Sequence, residues 1–121
     1  MKALAHRLRH RVDVQHRVES VDPVSGARSH AWQTIRGAAE PLLPAEIVPL
    51  SGREFVAAQS VQAGVTTRIT MRQHAAMPHA AADAVMRVVH GAEVYNIRAV
   101  LPDSSLMRHV TLMCEAGVNA G

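Results

Sequence analysis

The chain has 121 residues, enough for one domain with one core, and 48% of them are hydrophobic, which excludes a chain held disordered by lack of apolar surface. Only 2% are aromatic (Trp32, Phe55 and Tyr95), so the core must be built from Val, Ala, Leu, Ile and Met, and such a core is expected to gain further burial from neighbouring subunits. The 13 Lys and Arg against 10 Asp and Glu give a formal charge of +3, which by itself is too mild for a nucleic-acid footprint.

A single cysteine, Cys114, excludes an intramolecular disulfide and leaves no second thiol for a zinc knuckle or a redox pair. No run approaches the ~20 apolar residues of a membrane span, so no membrane partner is expected. Residues 1–11 carry Lys2, Arg7, Arg9 and Arg11 but no apolar stretch, which reads as a basic N-terminal arm and not as a cleaved signal.

Taken in order, Val12, Val14 and Val18 alternate with Asp13, Gln15 and Arg17, the period of a half-buried strand. Asp22-Pro23-Val24-Ser25-Gly26 is turn chemistry. A second strand is expected near Ala31 to Ala38, around Trp32 and Ile35. Pro41, Pro44 and Pro49 then follow within nine positions, a density that argues against a central strand and predicts a long proline-rich loop from Glu40 to Leu50. Its apolar residues, Leu42, Leu43, Ile47, Val48 and Leu50, are too many for a solvated loop.

Ser51 and Glu54 have the spacing of a capping box and predict a short helix ending at Gly64, with Phe55, Ala58, Val61 and Gln62 on one face. Strand patterns return at Thr66 to Arg72, at Ala84 to His90, across a Gly91-Ala92 turn into Val94 to Leu101, and at Leu106 to Cys114. The expected fold is mainly β. It is a single domain, a small barrel or sandwich of about six antiparallel strands with one short α-helix against it.

Chemistry finds few anchors. His74 and His79 lie five apart across Met77-Pro78, a spacing that fits neither a strand nor a helix face, and three or four convergent metal ligands are not on offer. His6, His10 and His16 read as surface histidines. No nucleophile elbow, zinc-protease, phosphate-loop or paired-carboxylate spacing occurs, so no enzyme, cofactor or metal is expected. Ser51-Gly52-Arg53 could hold an anion at the helix start, but an ordinary cap is the simpler reading. Arg7, Arg9 and Arg11 are the candidates for sequence-independent contact with phosphate, or for docking on an acidic neighbour. Leu42, Leu43, Ile47, Val48 and Leu50, with Arg53, Glu54 and Phe55 at the helix start, form the candidate subunit interface. A loop covering the open end of its own barrel would account for the same apolar residues.

Several segments together resemble a known family. These are L-R-H-R-V at Leu8 to Val12, the D-P-V-S-G turn followed by Trp32, then Ala38, Pro41 and Leu42, the S-G-R-E-F-V-A-A-Q block at Ser51 to Gln59, Met71-Arg72, and R-V-V-H-G-A-E-V-Y-N-I-R-A-V at Arg87 to Val100. Their order along nearly the whole chain is similar to that of the head-tail adaptor family of tailed bacteriophages, also called head-closure or stopper proteins. The G-x-E-x-x-x-A helix start is the most specific element. The chain departs from the family pattern in the length of the proline-rich stretch and in the histidine of Arg72-Gln73-His74.

The resemblance implies a structural virion protein assembled in the host cytoplasm. Such a protein forms a homo-oligomeric ring, six- or twelve-fold, between the portal or adaptor ring and the tail tube or tail terminator, with double-stranded DNA in the lumen. A tail-terminator-type ring, or a small basic barrel binding nucleic acid, are the alternatives. Steep salt dependence of free-DNA binding would separate the last from the others.

Overall fold

The computed structural model describes residues 8–61, 64–74, 85–102 and 108–116. The alternation that begins the chain becomes β1 (His10–Val21), twelve residues long, with Val12 and Val14 wholly buried. It turns back through Asp22–Gly26 into β2 (Arg28–Thr34). In that turn the Asp22 carboxylate accepts the backbone N–H of Val24 at 2.8 Å and of Ser25 at 3.4 Å, while Gly26 takes φ +73°, a left-handed conformation suited to glycine.

Next come β3 (Leu43–Pro49), helix α1 (Gly52–Val61), β4 (Thr67–Arg72), β5 (Met86–His90), β6 (Glu93–Pro102) and β7 (His109–Ala116). All pairings are antiparallel, in the order β1-β3-β4-β7-β6-β5, and β5 returns to β1 through Asp13–His16. Six strands therefore close into a barrel, and β2 is an extra strand on β1. Mainly β with one short helix is the class that the period-two pattern predicted.

The inward positions are those the alternation marks: Val12, Val14, Ala45, Ile69, Met71, Met86, Val88, Val110, Leu112 and Cys114 form one buried cluster. Small branched side chains suffice because six strands enclose a lumen that side chains can fill. Along β6 the alternation slips at an irregularity between Ile97 and Ala99, which lets both Ile97 and Val100 pack on the core.

Two local expectations are corrected. The stretch read as an irregular excursion contains β3, an internal strand of the barrel. The prolines are tolerated because β1 pairs with Leu43–Ala45 and β4 with Ala45–Pro49, so only Ala45 is paired on both sides. Pro44 and Pro49 each lie where one ladder is absent, and a missing N–H costs little there. The second strand is also shorter than predicted and shifted toward the turn, ending at Thr34.

Helix α1 starts one residue after Ser51, as predicted, but Glu54 does not reach back to complete a capping box: its carboxylate pairs with Arg68 on β4. The helix is mostly exposed, with Phe55 38% and Val56 68% accessible. Gly64, just beyond it, has φ +88°, and a Cβ there would fall 2.7 Å from Glu115 Oε2.

Leu112 is completely buried in the cluster. Leu112→Ala is expected to lower the unfolding free energy by about 3 kcal/mol through lost burial plus an unfilled cavity, measured by urea denaturation of the purified chain.

Candidate functional site

A connected set of polar side chains lies on the outer face of the barrel, where β1 joins β5 and β2. Asp13 and Gln15 occupy outward positions of β1, between the buried valines. Gln15 Nε2 donates to Asp13 Oδ2 at 2.9 Å, and Arg87 Nε, from β5, donates to Gln15 Oε1 at 2.8 Å. The Arg87 guanidinium also covers the Trp32 ring of β2 at 4.2 Å from its centroid, a cation–π contact.

On the other side, Arg36 Nε donates to Asp13 Oδ1 at 2.9 Å, the Thr34 hydroxyl donates to the same oxygen, and Arg36 Nη1 donates to the Glu40 carbonyl at 2.6 Å. Glu40 Oε1 then accepts Gly37 N–H at 3.1 Å and lies 2.8 Å from His74 Nε2. Trp32, Arg87, Gln15, Asp13, Arg36, Glu40 and His74 thus run as one chain of contacts across β2, β5 and β1, the β2–β3 turn and the residues just after β4.

The electrostatics follow from these bonds. Burial opposes the Asp13 charge, but the hydrogen bonds from Thr34, Arg36 and Gln15 and the Arg36 charge outweigh it and hold the carboxyl below its ordinary value. Glu40 is likewise lowered, first by His74 and then by the Gly37 N–H. Partial burial raises the Tyr95 hydroxyl, and full burial in the barrel interior pushes the Cys114 thiol up to about 12, which leaves that thiol protonated at neutral pH.

The sequence-predicted residues are dispersed over this surface. Arg7 lies outside the described residues, as do His6 and His79. Leu8 is buried and His10 is already in β1, so Arg11 is an exposed strand residue opposite Pro44 and not part of a detached arm. Arg9, also exposed, precedes the strand. The His10 ring meets the His90 ring edge-on at 4.9 Å, where β1 begins and β5 ends.

Of the apolar candidates, Leu43 and Ile47 pack against the barrel's own core, Leu50 is buried, and Val48 is half-buried opposite Arg68. Leu42 alone of that group is exposed, at 43%. Arg53, Glu54 and Phe55 form the exposed first turn of α1, tied to β4 by the Glu54–Arg68 pair. Between α1 and the outer face of β6 and β7 is an apolar cleft of about 330 Å³, lined by Ala57, Ala58, Val65, Ala99, Leu101 and Met113 beside Glu54. Among the described residues no group of three or more His, Cys, Asp or Glu is placed to hold a metal, and no helix is long and apolar enough to cross a membrane.

The outer polar chain escaped the sequence reading because its partners are far apart: Arg87 and Gln15 are 72 positions apart, Arg36 and Asp13 are 23. The one available signal was that Asp13 and Gln15 share the polar face of a single strand.

The model of the phage head completion protein family matches residues 4–117, from before β1 to the end of β7. The chain belongs to that family. The barrel of this head completion protein also superposes on the solution structure of protein SF1141 from Shigella flexneri 2a, with a TM-score of 0.64 over 97% of this chain and 99% of that one, at 22% sequence identity. That likeness concerns the fold. No curated protein matches the chain.

In this head completion protein the Asp13 cluster is the structural clasp of the outer face. Because the folded-state carboxyl lies below its ordinary value of 3.8, its contribution is complete above that pH and is lost as pH falls through the lower folded value. Asp13→Asn is expected to cost about 2 kcal/mol at pH 7 and to flatten the loss of stability below pH about 4, as read from thermal unfolding over a pH series.

Proposed function

We propose that this head completion protein is a subunit of the head-tail connector. Copies form a six- or twelve-fold ring between the portal or its adaptor ring and the tail tube or tail terminator. The ring closes the DNA-filled head and lets the genome pass at ejection. Family membership over residues 4–117, which takes in every strand of the barrel, carries this reading.

Physical features agree with the task. A closed barrel has no long internal edge to slip, so it makes a stiff wall element. Val21, Val24, Leu42, Val56 and Leu101 are large apolar residues that stay exposed on the isolated subunit and would be covered between subunits or rings. Arg11, Arg72 and Arg108 are exposed, and guanidinium groups can touch phosphate without reading sequence, which suits a passage for any genome. The role is mechanical and asks for no bond-making chemistry. The working location is the virion, after assembly in the host cytoplasm.

Electron microscopy of particles made with and without this chain tests the reading. The expected result is a ring at the portal vertex that disappears, together with tail joining and DNA retention, when the chain is omitted. A chain absent from purified particles that binds free DNA with a steep salt dependence would overturn it.

A further inference from the structure

Two exposed apolar features lie on opposite walls of the barrel. Counting round from β1 in either direction, β7 is the third strand: β1-β3-β4-β7 one way and β1-β5-β6-β7 the other. The β1–β2 ribbon leaves the wall at β1, and the apolar cleft under α1 lies over β7 and its neighbour β6.

The tip of the ribbon is an apolar knob on a tightly bonded turn. The Asp22 N–H donates to the Ala27 carbonyl at 2.9 Å, the Asp22 carbonyl accepts the Gly26 N–H at 2.8 Å, and the Asp22 carboxylate accepts the Val24 N–H at 2.8 Å. These bonds use only the backbone of Val24, so the turn itself does not ask for a valine, and turns ordinarily carry Gly, Asn, Asp or Ser. Val24 is nevertheless 94% exposed beside the exposed Pro23, and Val21 at the foot of the turn is 58% exposed. A side chain held on such a turn loses little further freedom when it docks.

The cleft is a socket of matching size and chemistry. Its volume is about 330 Å³, and all of its lining residues except Glu54 are apolar. A dry apolar cavity of roughly 150 Å³ already accepts a benzene ring, so the cleft has room for a valine side chain and the proline ring beside it. Leu101 in its wall is 51% exposed, apolar surface that a docked partner would take from water. Charges match as well. Arg53, exposed on the helix turn that carries Glu54, makes no ion pair among the described residues, and the exposed Asp22 at the base of the knob is its opposite in sign. Across the ribbon turn, Arg28 is likewise exposed without an ion pair among the described residues, and is opposite in sign to Glu54.

We propose that the ribbon tip of one copy, Pro23-Val24, docks in the α1 cleft of the next. Knob and socket are different surfaces on opposite walls of one subunit, so the contact propagates head to tail and does not close on a two-fold dimer. Closure of that series into a ring rests on the connector reading above; the docking does not.

The test uses the full chain and its association in sedimentation velocity. Val24→Asp spoils the knob and Leu101→Asp the socket, both at exposed positions outside the core. Wild type is expected to form species larger than a dimer at millimolar concentration. Each variant alone should associate about tenfold or more weakly, and their equimolar mixture should stop at dimers, because one variant keeps its socket and the other its knob. In a double variant with Val24→Cys and Leu101→Cys, an added oxidant should link position 24 of one copy to position 101 of another in a ladder of species, located by peptide mass mapping; the buried Cys114 takes no part. Should Leu101→Asp fail to fold, that linkage decides by itself. A wild type that stays monomeric or stops at dimers, a Val24→Asp variant that assembles as wild type does, or an oxidised double variant without the 24-to-101 link overturns the docking, while the connector reading is left to particle microscopy. If Leu101→Asp abolishes tail joining in particles and Val24→Asp does not, the cleft takes another virion protein and the proposal is likewise overturned.

Discussion

The architecture depends on how β1 divides its backbone among three partners. His10–Val12 pair with β3, Asp13–His16 with β5, and Gln15–Val21 with β2. The middle segment closes the barrel, and the last segment carries a ribbon out of it. A shorter β1 would leave either an open sheet with two edges or a barrel with no projection. Its inward valines, Val12 and Val14, are fully buried in the core, so the strand is held from inside by packing.

The same strand is held from outside by polar contacts. Asp13 and Gln15 are met by Arg36 from the β2–β3 turn and by Arg87 from β5, so the seam where β5 returns to β1 is bridged on its outer face. Side chains of this kind are half-buried, and hydrogen bonds to charged groups in such places are worth more than exposed ion pairs. Trp32, one of three aromatic residues in the chain, is placed under Arg87 on this outer surface and not in the core. The core accordingly consists of Val, Leu, Ile, Met, Ala and Cys.

Helix α1 is attached more lightly. Glu54 reaches Arg68, Gln59 donates to the Val65 carbonyl and accepts the Gly64 N–H at 3.0 Å, and the apolar cleft beneath it is not filled by its own side chains. The molecule is thus a closed barrel with a lightly anchored helix on one side and a two-stranded ribbon on another.

Much of this was readable from residues alone. Alternation in Val12–Val18, Thr67–Met71 and Val110–Cys114 reports which side chains face inward, because strand period is a local property of the backbone. The Asp22–Gly26 turn, the Gly91 turn and the start of α1 are likewise local, marked by a carboxylate-to-backbone bond at Asp22 and by positive φ at Gly26, Gly91 and Gly52. What tertiary structure alone decided is which strands meet. Pro44 and Pro49 are acceptable in β3 only because the ladders on its two sides overlap at Ala45, and no local pattern reports that overlap. Glu54 left its predicted capping box because Arg68, fourteen residues away, is a charged partner on an adjoining strand. Leu43 and Ile47 are half-buried against the core because β3 is in the barrel wall. Composition and period determined a β domain with a small-residue core; closure, the outer polar clasp and the projecting ribbon follow from pairings between distant residues, whose energies a linear pattern does not carry.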